Sequence, residues 1–288
     1  MVSTISSKAR SALGGIDLGG IDLMPFTDAH LDGGVALSAA EGWAHGRADW
    51  ALSLAVSRGV AALSRGRVVG TTLRSDFGPR LSTVNMVLVE AGHRGRGLGR
   101  AVMEAAIGSE ARALRLVATH EGRPLYEKLG FETVGEIACM QGVVTDAQTH
   151  LELRDATDED LAEIAALESA SFGGDRAEMI AQLAGCARIA LLGAQGDLRG
   201  FAACRAFGRG HVIGPVVAPD AQAGLALIAH LAQPLIGRPL RVDVLAQAGL
   251  EPGLAKMGLT SEYRVPVMQR GDQSIGGDRL ALLSQGLC

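Results

Sequence analysis

V-N-M-V-L-V-E-A-G-H-R-G-R-G-L-G-R-A-V-M-E-A-A, Val84 to Ala106, organises the rest of this 288-residue chain. Met86 to Val89 is an apolar run with the length and β-branched content of a buried strand. Gly95, Gly97 and Gly99 then alternate with Arg94, Arg96 and Arg100, and Leu98, Ala101, Val102, Ala105 and Ala106 follow at helical spacing. Glycine lacks a Cβ, so its backbone can take positive φ and approach a ligand closely. The first N–H groups of a helix have no partner inside it, and the helix dipole favours an anion there. Strand, glycine-rich turn and arginine-studded helix start together predict a pyrophosphate cradle. The plainer alternative is a tight turn with solvated arginines. The stretch lacks the Gly-Lys-Ser/Thr ending of a P-loop and the G-x-G-x-x-G spacing of a dinucleotide fold, and the next strand, Arg115 to Ala118, ends without an acidic residue.

Downstream lies T-H-E-G-R-P-L-Y-E-K-L-G-F, Thr119 to Phe131. With this segment in view the sequence resembles the GNAT family of acyl-CoA-dependent N-acetyltransferases. R-G-R-G-L-G at Arg94 to Gly99 is similar to that family's (Q/R)-x-x-G-x-(G/A) coenzyme A loop, and L-Y-E-K-L-G-F at Leu125 to Phe131 is similar to its second hallmark. The two are separated by one helix, one strand and the start of a second helix, as in the family.

The resemblance implies acetyl-CoA as cosubstrate and no metal. It assigns the coenzyme to Val87, Leu88, Val89, the loop residues Arg94, Gly95, Arg96, Gly97, Leu98, Gly99 and Arg100, and to Thr119 and Gly122. A backbone N–H of Leu88 or Val89 is expected on the thioester oxygen, and Tyr126 is expected to donate to the leaving sulfur. The plainer reading of Tyr126 is a ring packed on its helix. Trp43, His45, Asp49 and Asp76 are candidate acceptor contacts, although both tryptophans, Trp43 and Trp50, also suit anchors against a sheet. The strand Thr83 to Met86 carries no carboxylate, and Glu90 falls on the coenzyme side, so His45, Asp49 and Asp76 remain as bases. Deprotonating a lysine amine at neutral pH costs about 4 kcal/mol, against about 1 kcal/mol for an α-amino group. A site without a strong base therefore suits a small-molecule amine of low pKa or a peptide N-terminus.

Charge and composition narrow the classes. A net charge of −4 without a basic run speaks against nucleic acid, and no apolar run reaches the ~18 residues of a membrane span. With 48% hydrophobic residues the chain can bury proper cores. Cys139, Cys186, Cys204 and Cys288 are scattered without metal spacing, which suits reduced thiols in the cytoplasm. The leader, 1–20, contains G-G-I-D-L twice, and only the second copy runs into a patterned segment. Ile21 to Phe26 is read as a strand, Thr27 as an N-cap, and Asp76 to Arg80 as a turn.

From about His150 the order of elements restarts, with a short strand at Leu151 to Leu153 and a capped helix after Thr157. Val89 and Val217, Leu129 and Met257, Gly130 and Gly258, and Met140 and Met268 are each 128 positions apart. A fixed offset over this length marks an internal repeat. The expected fold is therefore α/β (α+β): two tandem GNAT-like domains, each a mixed, mostly antiparallel sheet flanked by helices. The first, 21–145, is expected to be catalytic, the second, 146–271, degenerate, with a tail at 272–288. Gln222, Ala223, Leu225 and Leu254 replace Arg94, Gly95, Gly97 and Tyr126, so the second copy should neither bind coenzyme A nor transfer acyl groups. The apolar Leu280 to Leu283 either covers its own domain or reaches a neighbouring copy, which leaves a homodimer open. A non-catalytic acyl-CoA sensing module is the alternative function.

Overall fold

The computed structural model describes residues 18–108, 112–272 and 277–287; most of the leader and Cys288 lie outside them. The chain forms two compact units, Met1–Leu114 and Arg115–Cys288.

The first unit contains β1 (Ile21–Pro25), α1 (Leu31–Ala40), α2 (Arg47–Ala55), β2 (Arg58–Ser64), β3 (Arg67–Phe77), β4 (Leu81–Val89) and α3 (Leu98–Ile107). β1 to β4 pair antiparallel in sequence order. Side chains alternate across the sheet, and both faces are covered. Phe26, Leu31, Leu37, Trp50, Ala61, Leu73, Met86 and Leu88 form one core. Val60, Ala62, Val69, Leu98, Val102 and Ala106 form the other. The V-A-A run in β2 thus serves two cores at once. Trp50 is fully buried, stacks on Phe26 at 5.4 Å and donates from Nε1 to Ser38 Oγ at 2.9 Å, so it is an anchor.

The division between units falls within β5 (Ala113–Val117). The second unit continues with α4 (Arg123–Lys128), β6 (Glu132–Val143), β7 (Arg154–Asp155), α5 (Leu161–Phe172), α6 (Ala177–Ala184), β8 (Ala187–Leu192), β9 (Gly200–Phe207) and β10 (Gly210–Val217). It ends with α7 (Ala221–Ala232), β11 (Pro239–Leu245), α8 (Glu251–Lys256), β12 (Leu259–Arg270) and β13 (Arg279–Ala281). Its strands run in the order β12-β6-β11-β13-β10-β9-β8-β7. Among the pairs registered between these eight strands, β10 with β11 is parallel and the rest are antiparallel, so the sheet is mostly antiparallel, as expected.

The 128-residue offset holds for the last elements of each repeat: α4 and α8 coincide under it residue for residue, and β6 and β12 to within one residue. β6 lies between β11 and β12, pairing Cys139 with Asp243 and Glu136 with Pro266. β12 in turn accepts from the end of the first repeat's β5 strand, Ala118 N to Pro266 O at 3.0 Å. The final strand of each repeat is therefore bonded to the penultimate strand of the other. This exchange explains why contacts divide the chain after Leu114 although the pattern restarts after residue 145.

Two local expectations are corrected, and one open alternative is decided. The second repeat opens with a strand at Arg154–Asp155, not at Leu151 to Leu153. β3 runs through Asp76 to Phe77, so the turn is confined to the residues after it. Leu280 to Leu283 are buried, with β13 paired to β10 and β11, so the tail covers its own unit.

Candidate coenzyme site

In the first unit the site is built from β4 and the start of α3. β3 pairs Thr71 with Leu88 and Leu73 with Asn85, so Met86 and Val87 together face the single residue Thr72. This is a β-bulge, and Met86 takes the left-handed φ of 49° that makes it. The Thr71 hydroxyl donates to Met86 O at 2.7 Å and pins the bulge. A bulge re-aims the backbone groups that follow it, here those of Val87, Leu88 and Val89. Sequence reasoning gave Met86 to the strand but missed the bulge and the Thr71 hydroxyl that pins it, because no residue type in the run signals a bulge.

The loop is as open as its glycines predict. Gly95 and Gly97 have φ of 74° and 83°, and a Cβ on Gly95 would meet no atom within 4 Å. Gly97 is the N-cap of α3 and supplies no side-chain cap, while Ala101 N is bonded to Gly97 O at 3.0 Å. The amides of Leu98, Gly99 and Arg100 thus lie at a helix start that, among the described residues, no side chain caps. Leu98, 1% exposed, roots the helix in the core beneath.

The arginines divide by partner. Arg94 donates from Nε to Val89 O at 2.9 Å and forms an ion pair with Glu41. Arg100 reaches forward one turn to Glu104 Oε1 at 2.7 Å. Arg96 is exposed and, among the described residues, has no hydrogen-bond or ion-pair partner. Beside it is a cavity of about 800 Å³, lined also by Arg65, Arg67 and His93. Glu90 is held by Arg67 through both oxygens and by His93 Nδ1 at 2.8 Å. The Arg67 hydrogen bond sets its carboxyl below the usual range, which leaves a weak base.

The acceptor candidates separate. Trp43 is half-buried against the α1 core, its ring 5.6 Å from that of His45. Asp49 is buried, and its Oδ2 accepts from Gly46 N–H at 2.9 Å at the start of α2. Trp43, His45 and Asp49 thus share one short segment. Asp76 sits at the opposite end of β3 from Gly70, the residue paired with Val89, about 20 Å along the strand. It accepts from Ser82 Oγ at 2.6 Å and Arg74 Nε at 2.8 Å, and lies 3.1 Å from Arg58 and from Arg112. Burial pushes its pKa up, but the Ser82 hydrogen bond and the Arg74 and Arg58 charges prevail and hold it below the ordinary value. Its carboxylate is an ion-pair hub, and the fold does not bring it to the loop.

In the second unit, Tyr126 is 6% exposed on α4, with its ring 6.1 Å from Phe131. A Cβ on Gly122 would stand 3.0 Å from Tyr126 Cε2, so the ring folds over the start of its own helix where only glycine leaves room. Thr119 Oγ1 accepts from Gly122 N at 3.1 Å and fixes that start. Burial pushes the Tyr126 phenol well above its usual pKa, which makes it a hydrogen-bond donor at any physiological pH.

Residues 55–133 and 164–283 each match the acetyltransferase (GNAT) domain family. The chain is 32% identical over 218 residues to an uncharacterised N-acetyltransferase, YitH, of Bacillus subtilis (strain 168), covering 72% of this chain and 77% of that one. It belongs to the GNAT acetyltransferase family, with the domain present twice. Among solved structures, a protein of Pyrococcus horikoshii proposed to be an acetyltransferase superposes with a TM-score of 0.79 at 17% identity, covering 96% of this chain and 98% of that one. A tandem GNAT protein from the clavulanic acid biosynthesis pathway superposes with a TM-score of 0.59 at 16% identity, covering 88% and 98%. These two likenesses are of fold.

Proposed function

We propose that the chain is an acetyl-CoA-dependent N-acetyltransferase acting on a primary amine of a small molecule or on a peptide N-terminus. The observation that carries this reading is the start of α3. A ten-residue helix begins at a left-handed glycine without a side-chain cap, beside a bulged strand and an unpartnered Arg96. Diphosphate oxygens suit those amides and that guanidinium. The bulged strand supports a donor at Leu88 or Val89 for the thioester oxygen. Tyr126 enters through its match to the family's second motif. As the C–N bond forms and the C–S bond breaks, its hydroxyl donates to the departing sulfur, and its raised pKa delays full proton transfer until charge has built there.

Glu90, Asp76 and Asp49 are poor bases: the first two are ion-paired and the third sits on a helix start. That favours an acceptor whose amine is already largely neutral, or loss of its proton through water. The chain functions, on this reading, in the cytoplasm, where the buried Cys139 and Cys204 stay as thiols. A non-catalytic acyl-CoA sensor is the second reading, favoured by the same lack of a base. Thiol release with a panel of amines separates the two, and a panel in which lysine side chains react fastest at neutral pH would overturn the acceptor class. Acetyl-CoA should raise the melting temperature, and Arg96→Ala should weaken its binding about tenfold and more than Arg94→Ala does. No stabilisation at saturating acetyl-CoA would remove both readings.

A further inference from the structure

The second repeat has not simply lost its coenzyme cleft. Under the 128-residue offset, Val216 and Val217 stand for Leu88 and Val89, the strand residues assigned to the coenzyme. β10 carries its own bulge there: Ile213 pairs with Cys204 and Val216 with Ala202, so Gly214 and Pro215 face one residue of β9. Below the bulge, β10 and β11 pair directly, through His211 with Leu240 and Val212 with Arg241. Above it they part, and β13 fills the gap.

β13 pairs with the corresponding residues themselves. Val216 faces Ala281 and Val217 faces Arg279, while Val244 on the other side also faces Ala281. Ala218 N donates to Asp278 O at 3.0 Å, and Leu282 N donates to Asp243 O at 2.9 Å. The tail backbone lies so close to the bulge that a Cβ on Gly214 would stand 1.8 Å from Leu282 O. Leu280 runs under α7, where a Cβ on Gly224 would meet its Cδ1 at 2.4 Å. Each end of the segment is tied by polar contacts. Arg279 Nη2 lies 2.7 Å from Glu168 Oε2, and Gln285 Nε2 donates to Asp243 Oδ1 at 3.0 Å.

The remaining coenzyme contacts are cancelled in the same repeat. Pro215, at the position of Val87, has no N–H to give. The residues equivalent to the open loop are the first turn of α7, and Asp220 caps them by accepting from Ala223 N at 2.8 Å. A carboxylate of the chain sits where the anion would.

We propose that residues 278–283 are a built-in occupant of the second cleft, a peptide strand lying where a working repeat would hold the coenzyme's extended arm, and that it limits the chain to one coenzyme. This rests on reading the first unit as the coenzyme site. Titration calorimetry of the full chain with acetyl-CoA should give one equivalent. In hydrogen exchange, amides 279–283 should be as protected as those of β10 and unmoved by saturating acetyl-CoA, while amides 94–101 gain protection. The full-chain double variant Leu280→Asp with Leu282→Asp should lose roughly 10 °C in melting temperature, and a synthetic peptide of residues 277–287 added in trans should restore it, whereas acetyl-CoA should raise the variant's melting temperature by no more than it raises that of the wild type. A second equivalent bound by the wild type, protection at 279–283 that falls as acetyl-CoA is added, or an unchanged melting temperature in the variant overturns the proposal. If the variant cannot be purified, exchange on the wild type decides alone. If acetyl-CoA binds nowhere, the function assigned to the first unit falls, while tail protection and peptide rescue still judge the occupant.

Discussion

Val84 to Ile107 and Val212 to Ala232 are the same strand, turn and helix used twice, to opposite ends. In the first, Gly97 at φ 83° leaves the start of α3 without a side-chain cap, and a hydroxyl on Thr71 pins the bulge in β4. In the second, Asp220 caps α7 from its own side chain, and Ala202 stands opposite Val216 where Thr71 stands opposite Leu88. Both strands bulge at the same place, so the bulge belongs to the fold. What distinguishes a ligand site from a core is whether the chain satisfies its own backbone groups there. The second repeat does so with a carboxylate, a proline and a borrowed strand.

Making the first repeat resemble the second should abolish it in order of how directly each change fills the cradle. Gly97→Asp is the most severe. Aspartate tolerates positive φ better than most residues, and it brings a negative charge to the amides a diphosphate needs. Acetyl-CoA affinity should fall on the order of 100-fold, about 2.7 kcal/mol, with little change in melting temperature in the absence of ligand. Calorimetry checks both, and retained affinity would show that the helix start is not the anion site.

Tyr126→Phe tests the next difference, since Leu254 is the equivalent in the second repeat. The ring packs on Phe131 and over Gly122, so the fold should survive. Loss of the hydroxyl should lower kcat by roughly 10- to 100-fold with KM for acetyl-CoA unchanged. A matched rise in KM instead would make Tyr126 a binding residue. Thr71→Ala copies Ala202 and removes the donor to Met86 O. A lost buried hydrogen bond is worth about 1 kcal/mol, so acetyl-CoA binding should weaken about fivefold if the bulge geometry matters and not at all if the surrounding strands hold it.

The parts of this site legible in the sequence are those that need a particular residue type. Positive φ at Gly95 and Gly97 demands glycine, so the loop could be placed in advance. Met86 takes φ 49° without being a residue that favours it, so the bulge could not. Asp76 looked available because its neighbours in sequence are turn residues, whereas Arg58 and Ser82 reach it only through β pairing, and Arg112 from just ahead of β5. The strand exchange of β6 and β12 was hidden for the same reason: alternation fixes which face a residue takes but not which strand lies beside it. Leu280 to Leu283 read plainly as a segment needing cover, yet its partners come from three other elements.

The smallest expected effect sharpens the comparison at the other end of each repeat. Both open on a threonine N-cap answered from three residues on, but by different chemistry. Thr27 N donates to His30 Nδ1 at 3.0 Å, while Thr157 N donates to Asp160 Oδ2 at 2.8 Å, with Arg154 on the same carboxylate. His30 accepts only when Nδ1 is unprotonated, and burial lowers its pKa from 6.5. A group with a lowered folded pKa contributes stability above its unfolded value and loses it as pH falls through the folded one. The first cap should therefore weaken below about pH 6.5. The second should persist well below pH 4, because the Arg154 and Thr157 hydrogen bonds hold Asp160 far under the usual carboxylate range. A cap of this kind is worth about 0.5–1 kcal/mol, so the readout is local: amide exchange at Thr27 should accelerate between pH 7 and pH 5 beyond its intrinsic pH dependence, while that at Thr157 should not. His30→Asp should bring the first cap into line with the second, and equal behaviour of the two threonines in the wild type would mean that the histidine carries none of the cap.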